Sequence, residues 1–182
     1  MRLGLYGGTF DPIHLGHIHV IRELLSQDIV DRLIVVPAGD PRLRENAPQA
    51  SGPDRRAMCQ LAINELPSEL RNRVEVNPIE ILRMGPSYTI DTVEAVKQTY
   101  PDDEIVLVIG TDAFAKLDQW HRVEELKQLV SFEVIQRPGF PSSAGRDIAA
   151  LDLSATQVRL HQSEQLSPAV AAYIKEHHLY AS

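Results

Sequence analysis

The stretch Gly7-Gly8-Thr9-Phe10-Asp11-Pro12-Ile13-His14-Leu15-Gly16-His17 constrains this chain more than any other. It follows a short apolar run (Leu3, Leu5, Tyr6) that reads as a buried first strand, and it precedes a helical pattern. The paired glycines predict a sharp backbone turn that can approach a ligand with no Cβ in the way. Pro12 and Ile13 lead into a helix whose first turn is expected to carry His14 and His17, three apart and therefore on one face. A helix start offers unpaired N–H groups at the positive end of the helix dipole, where anions bind. Strand, glycine turn and a helix N-terminus bearing two histidines read together as a phosphate site. A zinc site is the competing reading. Against it, no glutamate sits as in the helical zinc-protease motif, no cysteine lies nearby, and His19 is spaced to point elsewhere.

Beyond this stretch, Ile18, Ile21, Leu24 and Leu25 recur at helical spacing over Leu15 to Ser26. Leu33-Ile34-Val35-Val36, ended by Pro37, reads as a second buried strand. Strand, helix and strand within about forty residues make a βαβ unit, which favours a right-handed crossover and a parallel sheet. Ligands bind such sheets beyond the carboxyl ends of the strands. Later strands are expected at Arg73–Asn77, at Glu104–Ile109 (the most apolar, hence central) and at Phe132–Ile135. Helices are expected from Ser51/Pro53, from about Thr89 to Tyr100 and from Val123 to Val130. A short one follows Ser154, and a last one opens at Ser167-Pro168. A chain of 182 residues with no repeat and no dividing linker suits one α/β domain over 1–182.

Charge excludes one class of partner. With 18 basic and 25 acidic residues the net charge is −7, so no basic stripe exists to displace the counterions of a nucleic acid. The single cysteine, Cys59, excludes an intrachain disulfide framework and reads as a small buried hydrophobe. A strand beginning at residue 2 or 3 leaves no signal peptide expected before it, and no apolar run approaches bilayer length. The expectation is a cytoplasmic protein without membrane partners. The sequence is silent on oligomeric state, and a homo-oligomer is compatible with it.

His14-Leu15-Gly16-His17 resembles the His-x-Gly-His element of a nucleotidyltransferase superfamily. The longer Gly-Gly-Thr-Phe-Asp-Pro-Ile-His form is most similar to one branch, the bacterial nicotinate mononucleotide adenylyltransferases. Other stretches carry the resemblance along the chain. Leu153-Ser154-Ala155-Thr156-Gln157-Val158-Arg159 is similar to the family's Ile-Ser-Ser-Thr-x-Ile-Arg, with Ala155 replacing a serine. Gly110-Thr111-Asp112, Trp120, Ser87-Tyr88-Thr89 and Arg137-Pro138-Gly139 fall where the family has a Gly-x-Asp, a ring-stacking tryptophan, a Ser-Tyr-Thr and a further active-site loop. The closing helix through Tyr180 matches as well. One loop departs: Pro41-Arg42-Leu43-Arg44 stands where many relatives read Pro-Pro-His-Lys, with the charge at the lysine position kept as Arg44 and the neighbouring Pro and His gone.

The resemblance implies a Rossmann-like, doubly wound, mostly parallel sheet and transfer of AMP from ATP to nicotinate mononucleotide. It implies His14 and His17 as catalytic groups on the α-phosphate. It implies that ATP is bound by Gly8, Thr9, Phe10, His14, His17, Gly110, Asp112, Ser154, Thr156 and Arg159. The mononucleotide would meet Arg44, Ser87, Tyr88, Thr89, Trp120 and Arg137. Mg²⁺ would accompany ATP, since phosphates supply most of its oxygens and no protein metal site is expected. Two other functions stay open on the sequence. One is a sibling enzyme acting on phosphopantetheine or another mononucleotide. The other is a catalytically silent nucleotide sensor, an idea that rests on Ala155 and the altered Pro41–Arg44 loop.

Overall fold

The computed structural model describes residues 1–39, 47–160 and 163–180. Its first half runs β1 (Arg2–Gly8), α1 (Leu15–Ser26), β2 (Arg32–Pro37), α2 (Gly52–Asn64), α3 (Ser68–Arg71) and β3 (Val74–Val76). The second half runs α4 (Ile79–Leu82), α5 (Thr89–Thr99), β4 (Glu104–Gly110), α6 (Thr111–Phe114), α7 (Val123–Leu129), β5 (Ser131–Ile135), α8 (Ala155–Arg159) and α9 (Pro168–Glu176). The strands form one sheet in the order β3-β2-β1-β4-β5, and every neighbouring pair is parallel.

Both faces of that sheet are covered, so its strands are apolar in both directions of the pleat. Tyr6, Leu33, Val35, Val106 and Val108 face one way, against Ile21 and Leu24 of α1, Met58 of α2 and Val170 of α9. Leu3, Leu5, Ile34, Val36, Ile105 and Leu107 face the other way, against Ile90, Val93 and Val96 of α5 and Leu126 of α7. This is the doubly wound α/β architecture expected. Cys59 is fully buried in the first of these layers, and burial pushes its thiol pKa up.

The strand order reverses direction between β1 and β4. Their carboxyl ends diverge there, opening the crevice in which such sheets bind ligands. β1 runs into the Thr9–His17 connection and β4 into Gly110-Thr111-Asp112, so topology alone brings these two stretches to one crevice. Among the described residues no helix is long and apolar enough to cross a membrane.

Candidate active site

The strand and the turn divide differently from the sequence expectation. Gly7 and Gly8 belong to β1, and the turn is made by Thr9 to Pro12, with Phe10 left-handed at φ 49°. Phe10 is held in that conformation by packing: it is 2% exposed and meets Tyr6 and His17 edge-on, with ring centroids 5.6 and 5.0 Å away. Gly7 instead borders open space. A Cβ built there finds no heavy atom within 4 Å, and the residue lines both cavities described below. Gly7→Ala should therefore fold with unchanged stability. A methyl against a tightly held ligand costs on the order of 1–3 kcal/mol, so kcat/KM should fall about tenfold or more. A lowered melting temperature with normal kcat/KM would show that the vacancy serves no ligand.

His14 also differs from expectation, because it is the N-cap of α1 and His17 is the third helical residue. The His14 N–H donates to Nδ1 of His17 at 3.2 Å, and the His17 N–H donates to the His14 carbonyl at 2.9 Å. Accepting that bond leaves Nδ1 of His17 unprotonated, so the neutral ring carries its proton on Nε2. The two rings stack with centroids 3.8 Å apart. His14 is 3% exposed, and its Nδ1 has no hydrogen-bond partner among the described residues. Burial first, and then the Arg137 charge, lower its pKa from 6.5 to about 4. At pH 7 the ring is thus neutral, so it would meet an incoming phosphate oxygen as an uncharged N–H donor.

That depressed pKa has a measurable consequence. Between pH 6.5 and about 4 the unfolded imidazole is protonated and the folded one is not, so stability falls as pH drops through this window. A shift of this size corresponds to about 3 kcal/mol, complete below about pH 4. Urea midpoints from pH 7 to 4 should therefore fall less steeply for His14→Asn than for the wild type. Parallel curves would overturn this account of His14.

A cavity of about 340 Å³ opens on the histidines, and Gly110, Asp112, Arg137, Ser154 and Thr156 line it too. Gly110 is required by close packing, since a Cβ there would strike Asp112 and the Arg137 side chain. Arg137 is positioned by its N–H, which donates to Thr111 Oγ1 at 3.0 Å, and its Nε lies 4.0 Å from Asp112 Oδ1. It lies on the histidine side, although the resemblance implied a mononucleotide contact. Ser154 caps α8, its hydroxyl accepting the Gln157 N–H at 3.2 Å. Arg159 does not line this cavity. Its Nη1 donates to the Asp11 carbonyl at 2.6 Å and lies 3.6 Å from Asp11 Oδ2, while Nη2 donates to Thr156 Oγ1 at 3.1 Å.

A second cavity of about 200 Å³ shares Gly7, Gly8, Thr9 and Trp120 with the first. Ser87, Thr89, Thr92 and Glu80 complete its polar wall. Tyr88 is not in that wall and instead stacks on His121, ring centroids 4.3 Å apart. Arg122, two residues after Trp120, reaches Glu94 Oε1 of α5 at 2.7 Å and Glu125 Oε2 of α7 at 2.7 Å. Trp120 is thus fixed from its carboxyl side by a stacked ring and an ion-pair network. Arg44, expected to meet the mononucleotide phosphate, lies outside the described residues, as does the rest of Pro41–Arg44. His19 bonds the Ile148 carbonyl at 2.7 Å, away from the histidine pair, as its spacing implied.

Residues 5–171 match the cytidylyltransferase-like family. The chain is 38% identical over 190 residues to a probable nicotinate-nucleotide adenylyltransferase of Shouchella clausii, covering 98% of this chain and 96% of that one. It is 33% identical over 192 residues to the nicotinate-nucleotide adenylyltransferase of Bacillus subtilis, covering 100% and 99%. The chain belongs to the nicotinate-nucleotide adenylyltransferase family. Its fold is shared with the Plasmodium falciparum nicotinic acid mononucleotide adenylyltransferase solved with NaAD, at a TM-score of 0.82 and 18% identity over 98% of this chain and 97% of that one.

Within this adenylyltransferase framework, three residues were not singled out by sequence reasoning. Glu80 sits in an ordinary-looking Glu-Ile-Leu-Arg run with no periodic signal, yet it lines the second cavity. Asp11 was visible as part of the first stretch but carried no assigned role; its carboxylate accepts the N–H groups of Gln49 and Ala50 and the Tyr180 hydroxyl, at 2.8, 3.0 and 2.8 Å. Arg122 stands in no motif, yet it pairs with Glu94 of α5 and Glu125 of α7.

Proposed function

We propose that the protein transfers the adenylyl group of ATP to nicotinate mononucleotide, forming nicotinate adenine dinucleotide and releasing pyrophosphate. The observation that carries this reading is the pair of cavities joined along Gly7-Gly8-Thr9 and Trp120, one lined by histidines and an arginine, the other by hydroxyls and a tryptophan. An oxygen of the mononucleotide 5′-phosphate attacks the α-phosphorus of ATP in line, and the bond from that phosphorus to the β-bridging oxygen breaks. No covalent enzyme intermediate is needed. The protein's part is positioning and electrostatic stabilisation.

In this reading His14 and His17 donate to the α-phosphate and the bridging oxygen. Gly110 and Asp112 border the adenosine, and Thr156 and Arg159 serve the leaving pyrophosphate. Thr89 and neighbouring N–H groups meet the ring carboxylate while Trp120 stacks on the ring. Mg²⁺, bound with ATP, would supply positive charge against the phosphates. Among the described residues Asp112 is the only carboxylate lining the histidine cavity, and it could meet such an ion beside the phosphate oxygens.

Pyrophosphate release from ATP tests the reading when it is measured with nicotinate mononucleotide, nicotinamide mononucleotide and phosphopantetheine in parallel. The expected result is the highest kcat/KM with nicotinate mononucleotide. Preference for phosphopantetheine would make the protein a sibling enzyme, and no release with any acceptor would make it a sensor.

A further inference from the structure

The second cavity is electrostatically one-sided. Among its described lining residues Glu80 is the only one that carries a charge; the others are glycines, hydroxyl-bearing residues, aliphatic side chains and Trp120. The Glu80 carboxylate accepts the Thr92 hydroxyl at 2.8 Å, and the Gly39 N–H and the Ser87 hydroxyl also donate to it. Gly39 belongs there because a Cβ would collide with the Glu80 carbonyl and the Ser87 hydroxyl. These bonds fix the carboxylate against Gly39 just after β2, Ser87 just before α5, and Thr92 within α5. Arg83 donates to the same Thr92 hydroxyl at 3.3 Å but is not part of the cavity wall.

A fixed carboxylate facing a cavity whose other walls are mostly aliphatic or aromatic favours a cation there, because low-dielectric surroundings leave its field poorly screened. The ring of nicotinate mononucleotide carries such a charge at every pH, since its nitrogen is quaternised by the bond to ribose. We propose that Glu80 is a specificity-determining residue that selects a mononucleotide whose aromatic ring is cationic. The inference rests on the substrate reading above and adds the property by which the ring is recognised. Trp120 acts in the same direction, because an aromatic face attracts a cation. Burial raises the Glu80 pKa, and the donors from Thr92 and Gly39, the Arg83 charge and the Ser87 hydroxyl draw it back; a cationic ring supplies further counter-charge. In the substrate reading the ring carboxylate is met by the Thr89 hydroxyl and neighbouring N–H groups, not by a cation of the cavity wall.

The test compares nicotinate mononucleotide with its isostere in which carbon replaces the ring nitrogen, a carboxyphenyl C-riboside phosphate. The two share shape, carboxylate and phosphate and differ only in ring charge. Trp120 is the only tryptophan and lines this cavity, so with ATP absent its fluorescence reads binding of either ligand. Wild type should bind the cationic ligand more than about tenfold tighter. Glu80→Gln should bring that ratio to within about threefold of unity, with ATP affinity unchanged. A merely structural role would weaken both ligands alike and leave the ratio intact. Equal binding of the two ligands by wild type overturns the proposal whatever the fate of the variant, and so does a ratio that survives Glu80→Gln. Binding of neither ligand overturns the proposed substrate as well, whereas turnover of nicotinate mononucleotide without ring-charge preference overturns this inference alone.

Discussion

His17→Ala is expected to cut kcat about 10²–10³-fold, the usual effect of removing one donor aimed at charge that develops in the transition state. The geometry says which donor is lost. Nδ1 of His17 is committed to the His14 N–H at 3.2 Å, which leaves Nε2–H as the proton a ligand oxygen can accept. Because the group acts on developing charge, KM for ATP should change far less than kcat. The variant also loses the ring stacked 3.8 Å from His14 and leaves the His14 N–H without its acceptor. That should cost about 1 kcal/mol of stability, not the fold. Steady-state kinetics with both substrates, beside a melting curve, separate the two effects. Near-normal kcat in a folded variant would remove His17 from the chemistry.

The sequence made the crevice legible because it depends on short-range patterns. Leu33-Ile34-Val35-Val36 and the Glu104–Ile109 run are buried parallel strands whose apolar character survives any neighbour. Once β1 and β4 are adjacent, the two loops at their carboxyl ends must meet. Finer placement was not legible where packing overrides local preference. Two glycines suggested a turn, yet β1 continues through Gly8, because parallel pairing of Gly7 with Val36 and Gly8 with Pro37 extends the ladder. The turn falls instead on Phe10, a residue whose bulk argues against φ 49° until its contacts with Tyr6 and His17 are known. Glu80 was invisible for a different reason. Its importance lies in which segments meet around it, namely Gly39, Ser87 and Thr92, and none of those meetings is a local pattern.

Arg159→Ala is expected to damage two things at once, and their separation tests its assignment. The residue was expected from sequence to hold the triphosphate, but it also works inside the fold. Its Nη1 faces Asp11, whose side chain is 4% exposed, and Arg159 itself is only 17% exposed. Removing one member of a buried ion pair typically costs about 3–5 kcal/mol, because the other charge is stranded. Asp11 keeps the bonds from Gln49, Ala50 and Tyr180, so the loss here should be nearer to about 2 kcal/mol. The second effect is on ligand. With Thr156 and Arg159 serving the pyrophosphate, KM for ATP should rise about tenfold to a hundredfold while KM for the mononucleotide stays within about twofold. Arg159→Lys should recover part of the stability, since a point charge can still face Asp11. It should recover little of the ATP affinity, because the fork that spans the Asp11 carbonyl and Thr156 Oγ1 is gone. A stability loss with unchanged KM for ATP would make Arg159 a clamp on Asp11 alone. The cation for the leaving group would then be Arg137, the arginine that does line the histidine cavity.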